Sequence, residues 1–309
     1  MELIVIDKDK AALFPHRPFA IRHNLIGHPL LTLDALAALA GRLDADRVEY
    51  NSGKLRPNQR PEDVPAVNLA PEDVVRRIET ADAWMVLKNV ETLPEYRRLI
   101  EEALDGAARA MGYPDARAAG MLDFEGFIFV ASALAVTPFH MDYEENFFVH
   151  LAGDKAMHVF DNSDRTLVRE PEMEIYPGKH RNLYYEPAFE SRAQVFEMKP
   201  GDGLFLPYTW PHWVRTGNRW AASMAITWKS KRDVRLNSLY FVNAVLRKAG
   251  WAQPAPGRHK VWDAVKVGGY TAARAAIEPF RRSEGMRRRL RALFFGRKAN
   301  YYYRETPQP

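Results

Sequence analysis

Between residues 120 and 230 the chain breaks into short runs rich in Phe, Val, Tyr and Trp, bounded by Gly, Pro, Asn and Asp. No other feature limits the fold as strongly. The runs 126–136, 145–151, 156–160, 193–198, 203–206 and 221–228 each suit a strand. Several short strands with turn signals between them predict packed sheets, in a sandwich or jelly roll.

The flanks follow a helical period. Residues 1–115 read as mainly helical, with Leu33, Leu36, Leu39, Ala40 and Leu43 at helical spacing and Thr32 placed to cap them. Pro71 and Pro94 sit where a first helical turn tolerates proline. Val74, Val75 and Ile78 share a face after the first, and Tyr96, Leu99, Ile100, Ala103 and Leu104 after the second. Residues 84–90 read as a strand. Beyond 230, helices are expected over 236–249 and 262–282, with a short basic one over 286–297. The expected division is a helical N-terminal region with the first core strand (1–119), a β core (120–230) and a basic helical region (231–309).

Composition removes several kinds of chemistry. The 309 residues include no cysteine, so disulfides, zinc ribbons, iron–sulfur clusters and thiol nucleophiles are excluded. A metal held by this chain needs His, Asp, Glu or other oxygen ligands. The N-terminus lacks the basic-then-apolar order of a signal peptide, and the longest apolar stretch, 127–139, is short of a membrane span. A soluble, cytoplasmic protein is the expectation. The net charge of +5 is unevenly spread: residues 231–309 carry 18 Lys and Arg against 5 Asp and Glu.

Two stretches carry candidate chemistry. In Val136-Thr-Pro-Phe-His-Met-Asp142, His140 and Asp142 are two apart, and on a strand they would project from one face. In Gly201-Asp-Gly-Leu-Phe-Leu-Pro-Tyr-Thr-Trp-Pro-His-Trp213, His212 opens a strand 72 residues after His140. Two imidazoles and a carboxylate on one face of an ion, with its other positions open, make the ligand set of non-haem iron(II) oxygenases. Alone, a His-x-Asp pair is a weak signal.

The wider context is more specific. Thr137-Pro-Phe-His140-Met-Asp142-Tyr-Glu-Glu-Asn146-Phe147-Phe148, then Gly153-Asp-Lys155, then Gly201-Asp-Gly through Pro207 to Trp210-Pro-His212, resembles the JmjC-type hydroxylases of the cupin class. Among that family's members, these motifs resemble the asparaginyl hydroxylase of hypoxia-inducible factor. The resemblance spans roughly residues 80–230. It implies a double-stranded β-helix, a jelly roll, as the core at 120–230, with helical extensions on both sides. It implies an iron(II)- and 2-oxoglutarate-dependent oxygenase, a hydroxylase of a protein or small molecule, with demethylation as a variant of the same chemistry.

The roles it implies fall on particular residues. His140, Asp142 and His212 would hold iron. Lys155, fifteen residues after His140, would pair with the distal carboxylate of 2-oxoglutarate, and Thr137 and Asn146 would hydrogen-bond that cosubstrate. One position departs from the pattern. The family's asparagine after the second metal histidine is missing from Ser223-Met-Ala-Ile-Thr-Trp228, where Ser223 and Thr227 are the candidate replacements.

Other residues carry weaker signals. His150 and His158 flank the Lys155 hairpin and read as strand histidines with satisfied hydrogen bonds, with lining of the pocket as the minority reading, and His180 reads as loop surface. Tyr143, Glu144 and Glu145 are divided evenly between a solvated rim and a substrate contact. Trp210 and Trp213 read as core packing, with a substrate-facing wall as the minority reading, and Tyr184-Tyr185-Glu186 as a minority candidate for the mouth of the site. The basic segment 281–298 suits a solvated helix packed through Leu290, Leu293 and Phe294, a nucleic-acid or anionic contact, or, from the resemblance, part of a homodimer. The alternative functions are a non-catalytic cupin-like regulator that binds nucleic acid through this region, and a metal-dependent cupin enzyme without 2-oxoglutarate.

Overall fold

The structure is a computed structural model. It describes residues 2–60, 63–175 and 181–281, with 285–286, 289–290 and 292 beyond them. The chain divides into two compact units, one of residues 1–164 and 182–231, the other of 165–181 and 232–309.

Among the described residues the first unit is built on twelve strands: β1 (Ile4–Val5), β2 (Phe19–His23), β3 (Val48–Ser52), β4 (Ala83–Lys88), β5 (Leu122–Ala131), β6 (Val136–His140), β7 (Glu145–Ala152), β8 (Lys155–Val159), β9 (Gln194–Met198), β10 (Asp202–Leu206), β11 (His212–Thr216) and β12 (Ala221–Lys229). They form an eight-stranded sheet in the order β1-β2-β10-β7-β12-β5-β4-β3 and a four-stranded sheet in the order β6-β11-β8-β9. Every pairing is antiparallel. The last eight strands wind between the two sheets, which gives the expected jelly roll.

Period-two alternation explains how the larger sheet buries both faces. Phe147, Val149 and Leu151 of β7, with Met224, Ile226 and Trp228 of β12, join the core shared with the helices. Phe148 of β7 and Ala225 of β12 join Met157, Val159 and Val214 of the smaller sheet inside the barrel. Phe205 anchors the outer core, with ring centroids 5.0 Å from Phe19, 5.1 Å from Phe14 and 5.5 Å from Phe147.

The helical layer over this sheet follows the sequence pattern. Helices α2 (Leu33–Arg42), α3 (Pro71–Arg76) and α4 (Pro94–Ala110) follow the short α1 (Lys8–Ala11). Thr32 Oγ1 accepts the Ala35 amide at the start of α2. Pro71 and Pro94 open α3 and α4, and α4 buries Tyr96, Leu99, Ile100, Ala103 and Leu104.

Strand content before residue 115 is larger than the sequence reading, which marks only 84–90. β1, β2 and β3 are two to five residues long. β2 pairs with β10, nearly two hundred residues away. Strands this short, with such distant partners, leave little periodic trace. The run 126–136 also divides. It holds the end of β5, a turn with Leu134 at φ 60°, and the first residue of β6.

The second unit contains α5 (Lys231–Lys248) and α6 (Lys260–Ile277). Inside it Lys266 is buried, donating to Asn243 Oδ1 at 2.7 Å and lying 3.1 Å from Asp263 Oδ1. Arg247 Nε donates to Glu174 at 2.9 Å. Most of 281–298, including Leu293 and Phe294, lies outside the described residues, as does His180. No helix among the described residues is long and apolar enough to cross a membrane.

Candidate metal centre

β6 and β11 are antiparallel neighbours, and their register sets His140 directly opposite His212. The two imidazole centroids are 4.2 Å apart. Asp142 lies just past the end of β6 rather than on it, a correction to the same-strand expectation. The loop still returns the carboxylate to the histidines. Asp142 Oδ2 is 3.9 Å from Nε2 of both His140 and His212. A second tie comes from Thr209, whose amide donates to the Asp142 carbonyl at 2.9 Å.

Backbone carbonyls fix both imidazoles. His140 Nδ1 lies 2.7 Å from the Pro138 carbonyl, and His212 Nδ1 lies 3.0 Å from the Trp210 carbonyl. A carbonyl only accepts, so each Nδ1 carries the proton and each Nε2 is left with a lone pair. Metal-binding histidines are commonly oriented in this way. His212 is buried, and burial, followed by the nearness of His140, pushes its pKa down to about 4. It is a neutral ligand at ordinary pH.

The donor atoms of His140, Asp142 and His212 all lie within 4.8 Å of one another. Donors sharing one ion at about 2 Å each stand at comparable separations. The donor set therefore fits a divalent metal, with three protein ligands and open positions for others.

Lys155 begins β8, opposite Thr216 of β11, whereas Val159 of β8 is opposite His212. Four strand residues separate the two rows, about 13 Å along the sheet. The Lys155 ammonium is buried. Its Nζ donates to Ser223 Oγ at 2.8 Å and lies 5.3 Å from the centre of the Phe148 ring. No carboxylate among the described residues forms an ion pair with it, and burial pushes its pKa down to about 7. Ser223, on β12, thus takes part in the lysine's environment, while Thr227 Oγ1 donates to the Glu125 carbonyl at 3.4 Å.

Asn146 and Thr137 lie between these two ends. Asn146 of β7 is paired with Thr227 of β12, and its buried Oδ1 has no hydrogen-bond partner among the described residues. Thr137 of β6 is half-buried and pairs with Val214, two residues along from His212.

His150 extends the polar cluster. It is buried, with Nδ1 2.9 Å from Ser223 Oγ and Nε2 2.9 Å from the Gly153 carbonyl. Both ring nitrogens are satisfied, in keeping with the sequence reading, and the sequence places His150 beside the Lys155 hairpin without showing the link through Ser223. The signal for it was the alternation of 146, 148 and 150 on one face of β7. His158 stacks on Trp213 at 3.8 Å and pairs with Glu190.

Three residues depart from the solvated-rim option. Tyr143, Glu144 and Glu145 are all buried. Glu145 accepts the Trp228 indole proton at 2.8 Å, and Glu144 lies 3.6 Å from Lys229. Buried carboxylates need such partners, and polar letters in a sequence do not reveal them. Tyr184 is exposed, whereas Tyr185 is packed against Phe139, Phe189 and Trp213.

Among solved structures, the chain is similar to E. coli ycfD, with 14% identity over 94% of this chain and 72% of that one and a TM-score of 0.47. A structure described as the Escherichia coli ribosomal oxygenase YcfD gives 15% identity, 93% and 71% coverage and a TM-score of 0.46. Another, of that oxygenase in complex with cobalt and 2-oxoglutarate, gives 14%, 92%, 69% and 0.44. No curated protein matches the chain. Residues 40–234 match the family described as a cupin-like domain. That span is well over half the chain and includes both metal motifs, so the chain belongs to the cupin-like domain family.

Proposed function

We propose that this protein is an iron(II)- and 2-oxoglutarate-dependent oxygenase, a hydroxylase acting on a protein or small-molecule substrate. One observation carries the reading. A three-donor metal site and a buried lysine without a carboxylate partner among the described residues share one barrel, separated by a distance that a lysine stem and a five-carbon diacid span together.

In this reading His140, Asp142 and His212 hold iron(II). Bound iron with 2-oxoglutarate supplies the oxidative chemistry, in which the 2-oxo acid is decarboxylated to succinate as oxygen is activated. The protein binds and orients. Lys155 receives the distal carboxylate, which supplies its missing counter-charge. Asn146, with an unpartnered amide oxygen, and Thr137 face the cosubstrate between the two ends. The apolar Phe148, Met157 and Val214 exclude water from the middle. The similarity in motifs to the asparaginyl hydroxylase of hypoxia-inducible factor rests on the same residues and favours hydroxylation.

Purified protein supplied with iron(II), 2-oxoglutarate and oxygen should release succinate, and His212→Ala should not. Equal succinate release from both proteins would contradict the proposal.

A further inference from the structure

The hydrogen bonds around Lys155 form a chain with a defined direction. At its far end is the Gly153 carbonyl, which can only accept, so His150 Nε2 must carry a proton and donate at 2.9 Å. Burial, followed by the nearness of Lys155, pushes the pKa of His150 down to about 3, so the ring is neutral. Its Nδ1 therefore holds a lone pair and accepts the Ser223 hydroxyl proton at 2.9 Å. The Ser223 oxygen is then turned toward Lys155, whose Nζ donates to it at 2.8 Å.

Each link is held by the fold. His150 and Ser223 are cross-strand partners on β7 and β12, and both are buried. The accepting carbonyl belongs to the tight turn that joins β7 to β8, the strand that Lys155 begins. Gly153 in that turn has φ +75°, and a side chain there would meet the Trp220 carbonyl at 2.2 Å. The His150 carbonyl in turn accepts from His23 Nε2 at 2.8 Å and from the Gly201 amide at 3.0 Å.

We infer that His150 and Ser223 are positioning residues for Lys155, a two-step hydrogen-bond relay that aims its ammonium at the distal carboxylate of the bound 2-oxo acid. The inference rests on the functional reading above. A lysine stem is flexible and its ammonium is a point charge, so direction must come from its neighbours. Ser223 supplies an oxygen on one side only, and His150 stops the hydroxyl proton from rotating between Lys155 and the ring.

The test is calorimetric titration of the iron(II)-loaded protein without oxygen, using 2-oxoglutarate and 2-oxopentanoate. The second ligand has the same chain length and the same 2-oxo acid end but no distal carboxylate. Ser223→Ala and His150→Leu should each weaken 2-oxoglutarate about tenfold while leaving 2-oxopentanoate unchanged. His150→Asn, which retains an acceptor near the Nδ1 position, should recover most of the loss. If both ligands weaken equally, the pair is structural and the inference is overturned. If Lys155→Met removes the preference for the diacid but the Ser223 and His150 variants keep it, the relay is overturned and the oxygenase reading stands. If Lys155→Met also keeps the preference, the oxygenase reading itself fails at this residue.

Discussion

His140 and His212 face each other across β6 and β11, and each gives its Nδ1 proton to the carbonyl two residues before it. The shared arrangement leaves two Nε2 lone pairs on the same side, beside one carboxylate oxygen of Asp142. A metal meets a pre-oriented pair of neutral imidazoles rather than two free side chains, so little ordering cost remains for binding.

Removing one member should therefore abolish binding without unfolding the barrel. His140 is half-buried at the end of its strand, and its ring stands 4.2 Å from that of His212. His140→Ala should weaken iron(II) by more than about 100-fold. Its unfolding free energy without metal should change by less than about 1 kcal/mol. Metal titration and urea denaturation of the same sample check both.

Lys155 trades stability for binding. Its buried ammonium has a serine and an aromatic face for company, but no carboxylate among the described residues. Lys155→Met keeps the length and removes the charge, so the ligand-free protein should gain about 1 kcal/mol or more. Affinity for 2-oxoglutarate should fall by about 100-fold, because the ligand's carboxylate is then left unpaired. Thermal denaturation and calorimetry should move in opposite directions.

Acid should loosen the barrel through His150. Its folded pKa, about 3, lies below the unfolded value near 6.5. Between these values the unfolded chain binds the extra proton, so stability rises with pH. It is complete above about 6.5 and is lost as pH falls toward 3. At pH 5 the loss from this group is about 2 kcal/mol relative to pH 7. Burial also lowers the pKa of His23, which adds in the same direction. Urea denaturation at pH 7 and pH 5 should show the loss, and His150→Leu should reduce it.

Gly153→Ala tests the turn beneath the relay. The positive φ and the 2.2 Å approach to the Trp220 carbonyl both oppose a side chain. The substitution should cost about 3 kcal/mol or more in a denaturation experiment.

The β core was legible because its strands alternate, and because Phe, Val and Trp mark strands that bury both faces. Thr32, Pro71 and Pro94 marked helix starts by local chemistry that needs no tertiary partner. β1, β2 and β3 were not legible, since pairing with a distant strand rather than local pattern makes them strands. At the site, the His-x-Asp and His212 motifs identified the residues that the fold brings together, though Asp142 reaches its place from a loop. Ser223 and Thr227 were both candidates for a missing asparagine, and only the register of β12 against β7 shows that the first stands beside His150 and the second beside Asn146. The burial of Glu144 and Glu145 depends on Lys229 and Trp228, more than eighty residues away, and cannot be read from their own neighbourhood.

The most direct measurement of the central claim is an anaerobic titration of the iron(II)-loaded protein with 2-oxoglutarate, followed by visible absorption. Chelation of iron(II) by a 2-oxo acid produces a coloured complex, which reports metal and cosubstrate in one site. The expected result is a saturable absorption that requires iron(II) and is absent in His140→Ala and in Asp142→Ala. An iron-loaded protein that develops no such absorption at millimolar 2-oxoglutarate would contradict the account.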